Sequence, residues 1–149
     1  MPAYRTVVVG TDGSSTSLAA VDRAAEVAAD SSAELMIVCA YTPASREQTA
    51  AAEDALKDEA YLVVGWTPAE ETLRAAEDRA AAAGAVKVRT SAVDGPPVDV
   101  LRAAVAEHGA DLLVVGNKGR GTLSGRLLGS VPSDVARRSG VDVLIVRTS

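Results

Sequence analysis

Aromatic, cysteine and histidine side chains are scarce in this sequence. Its 149 residues include no Phe, one Trp, one Cys and one His. The single cysteine, Cys39, excludes an internal disulfide, and one Cys with one His cannot supply the ligands of a structural zinc site. Without Phe, the core must be built from Val, Leu, Ile and many Ala, whose small side chains let helices pack closely on a sheet. This cysteine usage favours a reducing, cytoplasmic compartment.

Basic charge and long apolar runs are scarce as well. Fifteen Lys and Arg against 20 Asp and Glu give a net charge of −5, whereas nucleic-acid binders usually present a basic face. No apolar run approaches the roughly 20 residues that span a bilayer, and the N-terminus does not resemble a signal peptide. We therefore expect neither a nucleic-acid nor a membrane partner, and a single domain over residues 1–149.

The sequence does contain a regular alternation of short apolar runs and helical segments. Nearly continuous Val, Leu and Ile runs are typical of strands covered on both faces. Such runs, the third of them weaker, occur at Thr6–Val9, Leu35–Ala40, Val86–Val93, Leu112–Val115 and Val141–Val146. Helices are predicted at Ser14–Asp30, Pro68–Ala83, Val98–His108 and Pro132–Ser139. This order predicts an α/β fold: an open, doubly wound, five-stranded parallel sheet of Rossmann-like type, with helices on both faces and strand order 3-2-1-4-5.

The segment Thr42–Gly65 does not follow this scheme. It contains an acidic, Ala-rich helical piece, Glu47–Ala60, and it is long for a connection. After it, Thr67 is a predicted N-cap, with Pro68 at the first helical position.

Two segments lie where a ligand of such a fold binds, beyond the carboxyl ends of the strands at the point where the strand order reverses. The first is Gly10–Ser15, after strand one. The second is Gly116–Ser130, after strand four, with five glycines, three cations and three hydroxyls in fifteen residues. Glycines let a ligand approach the main chain, and N–H groups in such a loop or at a helix N-terminus can surround phosphate oxygens. The second segment is therefore a candidate phosphate site.

Two common phosphate motifs do not fit it. A Walker A loop requires Lys directly after its second glycine, and Thr122 follows Gly121 instead. The dinucleotide fingerprint G-x-G-x-x-G is absent from Gly10–Gly13, and the pair Gly119 and Gly121 continues to Ser124 rather than to glycine.

A third pattern does fit. Gly116, Gly119, Gly129 and Ser130 follow the spacing G-x2-G-x9-G-[S/T], which resembles the nucleotide-binding signature of the universal stress protein family. The likeness extends over essentially the whole chain, through Val7–Ser14, Ala110–Gly116, Leu127–Val131 and Val141–Arg147.

The resemblance implies an adenine nucleotide, ATP or cyclic AMP, with Mg²⁺ accompanying ATP. It places Asp12, beside Gly10 and Thr11, on the nucleoside, and Ala40 or its neighbour Cys39 on the adenine. The remaining implied site residues line the ribose and phosphate path or hold the phosphates: Val115, Gly116, Asn117, Gly119, Gly129, Ser130 and Val131. No catalytic residue and no protein metal site is implied. Pro132 departs from the family pattern, and because proline has no N–H, adenine is a safer prediction than a triphosphate.

Several alternatives stay open at this point. Asp12 could serve only as a helix cap, and the glycine-rich loop could bind nothing. A binding protein in signalling or nucleotide sequestration competes with a slow ATPase or autophosphorylating enzyme, which would need a residue to orient water. The last strand, Asp142–Arg147, would be an apolar sheet edge, and the resemblance implies a homodimer through it.

Overall fold

The structure is a computed structural model whose described part comprises residues 3–42, 62–117 and 130–147. The predicted helix Glu47–Ala60 and most of the glycine-rich loop, residues 118–129, lie outside the described residues. Six strands are described: β1 (Thr6–Gly10), β2 (Glu34–Thr42), β3 (Leu62–Val64), β4 (Lys87–Asp94), β5 (Leu112–Gly116) and β6 (Asp142–Val146). The four described helices are α1 (Ser15–Ser31), α2 (Trp66–Ala82), α3 (Pro97–His108) and α4 (Ser130–Arg138).

The main sheet is parallel and has the order β4-β2-β1-β5-β6. This is the predicted order, because β4 is the third of the five strands foreseen from the sequence. Strands β1, β2 and β5 have a strand on each side and a helical layer on each face, which is why their sequences are nearly continuous apolar runs. Among the described residues β4 pairs only with β2, and its alternating, partly exposed pattern follows from that edge position.

The helices form two layers, one on each face of the sheet. Helices α1 and α2 enclose one core with sheet residues such as Val7, Val9 and Ile37. Helices α3 and α4 enclose the other with Val8, Val38 and Leu113. Neighbouring residues of one strand thus contribute to opposite cores, as the two-residue period of a strand requires. The facing helices α1 and α2 bury mainly alanine, which lets them lie close to the sheet.

The short strand β3 is the element that the sequence pattern did not predict. It pairs in parallel with the carboxyl end of β2, from Ala40 to Thr42. Three residues are too few to show a periodicity, and β3 is recognisable only from its pairing.

Two predicted helix starts are wrong by two residues. Helix α2 begins at Trp66 rather than Pro68, and its N-cap is Gly65 (φ +95°) rather than Thr67. Glycine adopts that φ readily and so turns the chain directly from β3 into the helix. Helix α4 begins at Ser130 rather than Pro132. Both prolines are third helical residues, where the N–H has no partner within the helix, so neither one marks the start.

Candidate functional site at the carboxyl edge of the sheet

The carboxyl ends of β1 and β5 lie side by side at the point where the winding reverses. Val9 of β1 pairs with Val114 of β5. From β1 the chain passes through α1 to β2, and from β5 it passes through α4 to β6 on the opposite side. The two crossovers lie on opposite faces, so the segments leaving β1 and β5 diverge and form a crevice. The sequence-predicted residues Gly10–Asp12 and Val115–Asn117 meet there.

A buried hydroxyl network fixes the turn between β1 and α1. Thr11, Asp12 and Ser17 are all buried. The Ser17 hydroxyl donates to the Ser14 carbonyl at 3.0 Å and accepts from the Asp12 N–H at 3.3 Å. The Thr11 hydroxyl lies 2.9 Å from the Ser17 hydroxyl and accepts from the Gly13 N–H at 3.1 Å. Since the Ser17 proton is used on Ser14, Thr11 is the donor to Ser17, and the network is directional.

Asp12 takes part in shaping this turn. Its Oδ1 accepts from the Ser14 N–H at 2.8 Å, an Asx turn. The N-cap of α1 is Ser14, whose side chain accepts from the Ser17 N–H. Asp12 therefore is not the cap that the sequence allowed it to be, although its carboxylate does order the residues just before the helix. A carboxylate accepts further hydrogen bonds, so this role is compatible with contacting a ligand.

Two helices pack closely against the same turn, one from each face of the sheet. A Cβ on Gly10 would lie 2.9 Å from Leu101 Cδ2 of α3, closer than real Cβ contacts. A Cβ on Gly13, which has φ +84°, would lie 3.1 Å from Thr72 Oγ1 of α2. Glycine is needed at Gly10 for close approach and at Gly13 for backbone conformation as well. Helices α2 and α3 thus set the position of Asp12 between them.

The candidate side chains do not all face the same layer. Ala40, Val115 and Val131 belong to the core of the α3–α4 face, where Gly10 also contacts Leu101. Cys39 is fully buried in the opposite core, with α1 and α2. Of the two residues suggested for the adenine, Ala40 has its side chain on the face where α4 begins. The Cys39 side chain points to the other face.

The end of β5 and the start of α4 complete the described part of the site. Gly116 ends β5, and the buried residue Asn117 donates its N–H to the Val146 carbonyl at 2.9 Å. Ser130 is the first residue of α4, whose N-terminus carries partial positive charge. Pro132 lies in that first turn and removes one of its free N–H groups. Gly119 and Gly129 lie outside the described residues.

Three residues that shape the site were not anticipated: Ser17, Thr72 and Leu101. Ser17 carried a usable signal, because it is a polar residue on the buried stripe of α1, in line with Ala20, Val21 and Ala24. Thr72 and Leu101 carried none, since their contacts with Gly13 and Gly10 join distant parts of the chain. In the described ranges, no three His, Cys, Asp or Glu side chains are grouped as a metal site would need. No helix there is long and apolar enough to cross a membrane.

An open, doubly wound α/β sheet with a crevice at its switch point defines a class of proteins that bind ligands at this edge. The universal stress protein family model matches residues 3–147, and the chain belongs to that family. Universal stress protein Rv1636 of Mycobacterium tuberculosis is 54% identical over 149 residues, covering 100% of both chains.

Solved structures show the same relationship. A universal stress protein crystallised in complex with cAMP is 50% identical, with a TM-score of 0.75 and 98% of each chain covered. UspA from Lactobacillus plantarum is 21% identical, covers 97% of this chain and 98% of its own, and has a TM-score of 0.75. At that identity the likeness concerns the fold alone. The fold predicted from the sequence is confirmed.

Proposed function

We propose that this protein binds an adenine nucleotide, with cyclic AMP as the first candidate, in the crevice between β1, β2 and β5. The observation that carries the proposal is the cAMP complex of the 50% identical relative. The geometry supports it, because Asp12, Ala40 and Val115 converge at the edge where α/β sheets of this winding bind ligands.

The chemistry of the crevice suits a small adenine ligand. Ala40 and Val115 contribute apolar side chains of the α3–α4 core at this edge, and apolar surface suits a purine ring. The N-terminus of α4 at Ser130 offers N–H groups and partial charge to a phosphate. Because Pro132 removes one donor there, one phosphate is matched better than three. The residues outside the described ranges, Gly119 and Gly129, complete the proposed phosphate path.

The proposed role is signalling or nucleotide sequestration by a cytoplasmic homodimer of single-domain chains. The apolar side chains of β6 are only partly buried, unlike the fully buried ones of β5. A sheet edge of this kind supports pairing with a second copy.

Calorimetric titration with cAMP, AMP and ATP tests the proposal. We expect saturable binding of cAMP with 1:1 stoichiometry, weakened at least about 10-fold by Asp12→Ala, which removes about 1.4 kcal/mol or more. The matched control is Asp99→Ala, a carboxylate in the first turn of α3. No heat with any of the three ligands would overturn the proposal. Multiple-turnover ADP formation from ATP and Mg²⁺, lost in Ser130→Ala, would instead establish the enzymatic alternative.

A further inference from the structure

An arginine of α3 forms a hydrogen bond with the carboxyl end of α4. The Arg102 Nε donates to the carbonyl oxygen of Arg138, the last residue of α4, at 3.0 Å. The last carbonyl groups of a helix have no partner within it, and an arginine side chain can bind them. Arg102 therefore attaches α3 to the end of α4 that lies farthest from the crevice.

The residue before Arg102 contacts the other half of the crevice. Leu101 is buried, and its Cδ2 would lie 2.9 Å from a Cβ on Gly10, the last residue of β1. Leu101 also belongs to the core that contains Val131 and Val135 of α4. Helix α3 thus packs against the end of β1 and against α4. The position of α4 relative to the β1 end is therefore set through α3.

The first turn of α4 makes the position of this helix important. The first N–H groups of a helix have no partner within it and can bind a phosphate. Pro132 has no N–H, so Ser130 and Val131 supply the N–H groups of the first three residues of α4. An N–H···O hydrogen bond needs a donor–acceptor distance of about 2.7–3.2 Å. With two donors in place of three, a small displacement of α4 along its axis affects a larger share of the phosphate contacts.

The positive charge of Arg102 is too far from this first turn to act on it directly. Helix α4 has nine residues, so at about 1.5 Å per residue its ends are roughly 12 Å apart. Arg102 is exposed, and exposed charges more than about 8 Å apart are largely screened at physiological ionic strength. An influence of Arg102 on the first turn must therefore be transmitted by the position of the helix itself.

We infer that Arg102 is a positioning residue for the phosphate of a bound nucleotide, an inference that rests on the proposed function. Its hydrogen bond to Arg138 fixes α4 along the helix axis, and so fixes the Ser130 and Val131 N–H groups at the edge of the crevice. Adenosine has the base and the ribose but no phosphate. The hydrogen bond should therefore matter for cAMP and not for adenosine.

The test uses two neutral variants of equal side-chain length at position 102. In Arg102→Gln the amide nitrogen takes the place of the arginine Nε and still donates, whereas in Arg102→Met a methyl group takes that place. We expect Arg102→Met to bind cAMP about 3- to 10-fold more weakly than wild type, the effect of one hydrogen bond. Arg102→Gln should stay within about 2-fold of wild type. Adenosine affinity, measured by NMR titration into the millimolar range, should be the same in all three proteins.

Arg137→Met is the matched control, because the Arg137 guanidinium bonds Asp134 within α4 and its loss leaves the Arg102 contact in place. Without ligand, the amide resonances of Ser130 and Val131 should shift in Arg102→Met and stay in place in Arg137→Met.

Four results would overturn the inference. These are unchanged cAMP affinity in Arg102→Met, an equal loss of cAMP and adenosine affinity, an equal loss in the Gln and Met variants, and unshifted first-turn resonances in Arg102→Met. A helix cap that only stabilises the fold would lower the melting temperature and leave the ratio of the two affinities unchanged. A wild-type protein that binds neither ligand would overturn the proposed function instead, which keeps the two failures distinct.

Discussion

At the residue scale, two hydroxyl groups, those of Thr11 and Ser17, order the turn between β1 and α1. Ser17 is the third residue of α1, and its hydroxyl hydrogen-bonds to the main chain of Asp12 and Ser14, which precede the helix. A buried polar group that loses its partner costs the free energy of its desolvation, so each member of this network depends on the others. The described residues contain no buried side-chain N or O atom without a hydrogen-bond partner.

Substituting Ser17 tests this dependence. Ser17→Ala removes the hydroxyl that the Asp12 N–H and the Thr11 hydroxyl contact, and we expect a loss of about 1–3 kcal/mol in the free energy of unfolding. Urea denaturation measures it, with Ser15→Ala as the control, because Ser15 is exposed and begins the same helix. Equal stabilities of the two variants would show that the network contributes nothing.

Gly13 and Gly140 form a matched pair for testing how tightly α2 constrains the turn. Both have positive φ, +84° and +76°, so alanine strains either by about 1 kcal/mol. A Cβ on Gly140 meets nothing within 4 Å, whereas one on Gly13 meets Thr72. We expect Gly13→Ala to be the less stable variant and the only one with weakened cAMP binding, by thermal melting and calorimetry. Restored binding in Gly13→Ala with Thr72→Ala would locate the cause at this contact, and identical behaviour of the two glycine variants would exclude it.

At the element scale, side-chain hydrogen bonds connect the strands at the opposite, amino-terminal edge of the sheet. The Asp111 carboxylate before β5 accepts from the N–H groups of Arg5 and Thr6, and the Tyr4 hydroxyl donates to Asp142 Oδ2 at 3.0 Å. The start of β1 is thereby attached to the starts of both β5 and β6. Such hydrogen bonds help to fix the register of the strands. The register in turn determines how their carboxyl ends align at the crevice.

The hydrogen bond between Tyr4 and Asp142 leads to a prediction about the titration of the Tyr4 hydroxyl. The hydrogen bond to Asp142, followed by desolvation and the nearby carboxylates, raises the pKa of Tyr4 above its ordinary value of 10.0. Because the folded-state pKa is the higher one, the contribution to stability is complete below pH 10 and is lost as the pH rises through the raised value. NMR titration of the tyrosine rings should show Tyr4 moving back toward the ordinary pKa in Asp142→Ala but not in Asp99→Ala. An unchanged Tyr4 titration in Asp142→Ala would contradict the assignment.

At the scale of the whole molecule, β6 is an edge strand of the sheet within the part of the chain that the structure describes. Its apolar side chains are only partly buried, and within the described ranges β5 is its one pairing partner. The Asn117 N–H donates to the Val146 carbonyl, so Val146 and Leu144 face β5 and Ile145 directs its N–H to the open edge. A second copy pairing there would complete the sheet.

Proline substitutions distinguish the two edges of β6. Ile145→Pro removes an N–H from the open edge, and we expect it to shift the protein from dimer to monomer while the fold persists. Leu144→Pro removes a hydrogen bond to β5 and should lower the melting temperature instead. Light scattering after size exclusion measures the oligomeric state, and thermal melting followed by circular dichroism measures the melting temperature. A wild-type monomer, or an Ile145→Pro protein that stays dimeric with unchanged affinity, would contradict the proposed interface.

Local patterns were sufficient where an element is long and its environment is uniform. The nearly continuous apolar runs of β1, β2 and β5 identified strands buried on both faces, and the glycine spacing from Gly116 to Ser130 directed attention to the edge of the sheet where β1 and β5 end. Prediction was less accurate at boundaries, because a proline or threonine near a helix start is compatible with several start positions. For α2 the deciding residue was Gly65, whose φ depends on the path from β3.

The sequence alone determined the α/β class and the family, since periodicity and glycine spacing are local and survive any detail of packing. The predicted strand order came with the doubly wound class of fold, not from any local pattern. Tertiary structure alone decided which face each side chain occupies, separating Ala40 from Cys39. It also decided that Leu101 and Thr72 lie against Gly10 and Gly13, on either side of Asp12 in the turn. The pairing of β3 with the carboxyl end of β2 was decided in the same way. These features depend on contacts between residues distant in the chain, and a one-dimensional pattern carries no record of such contacts.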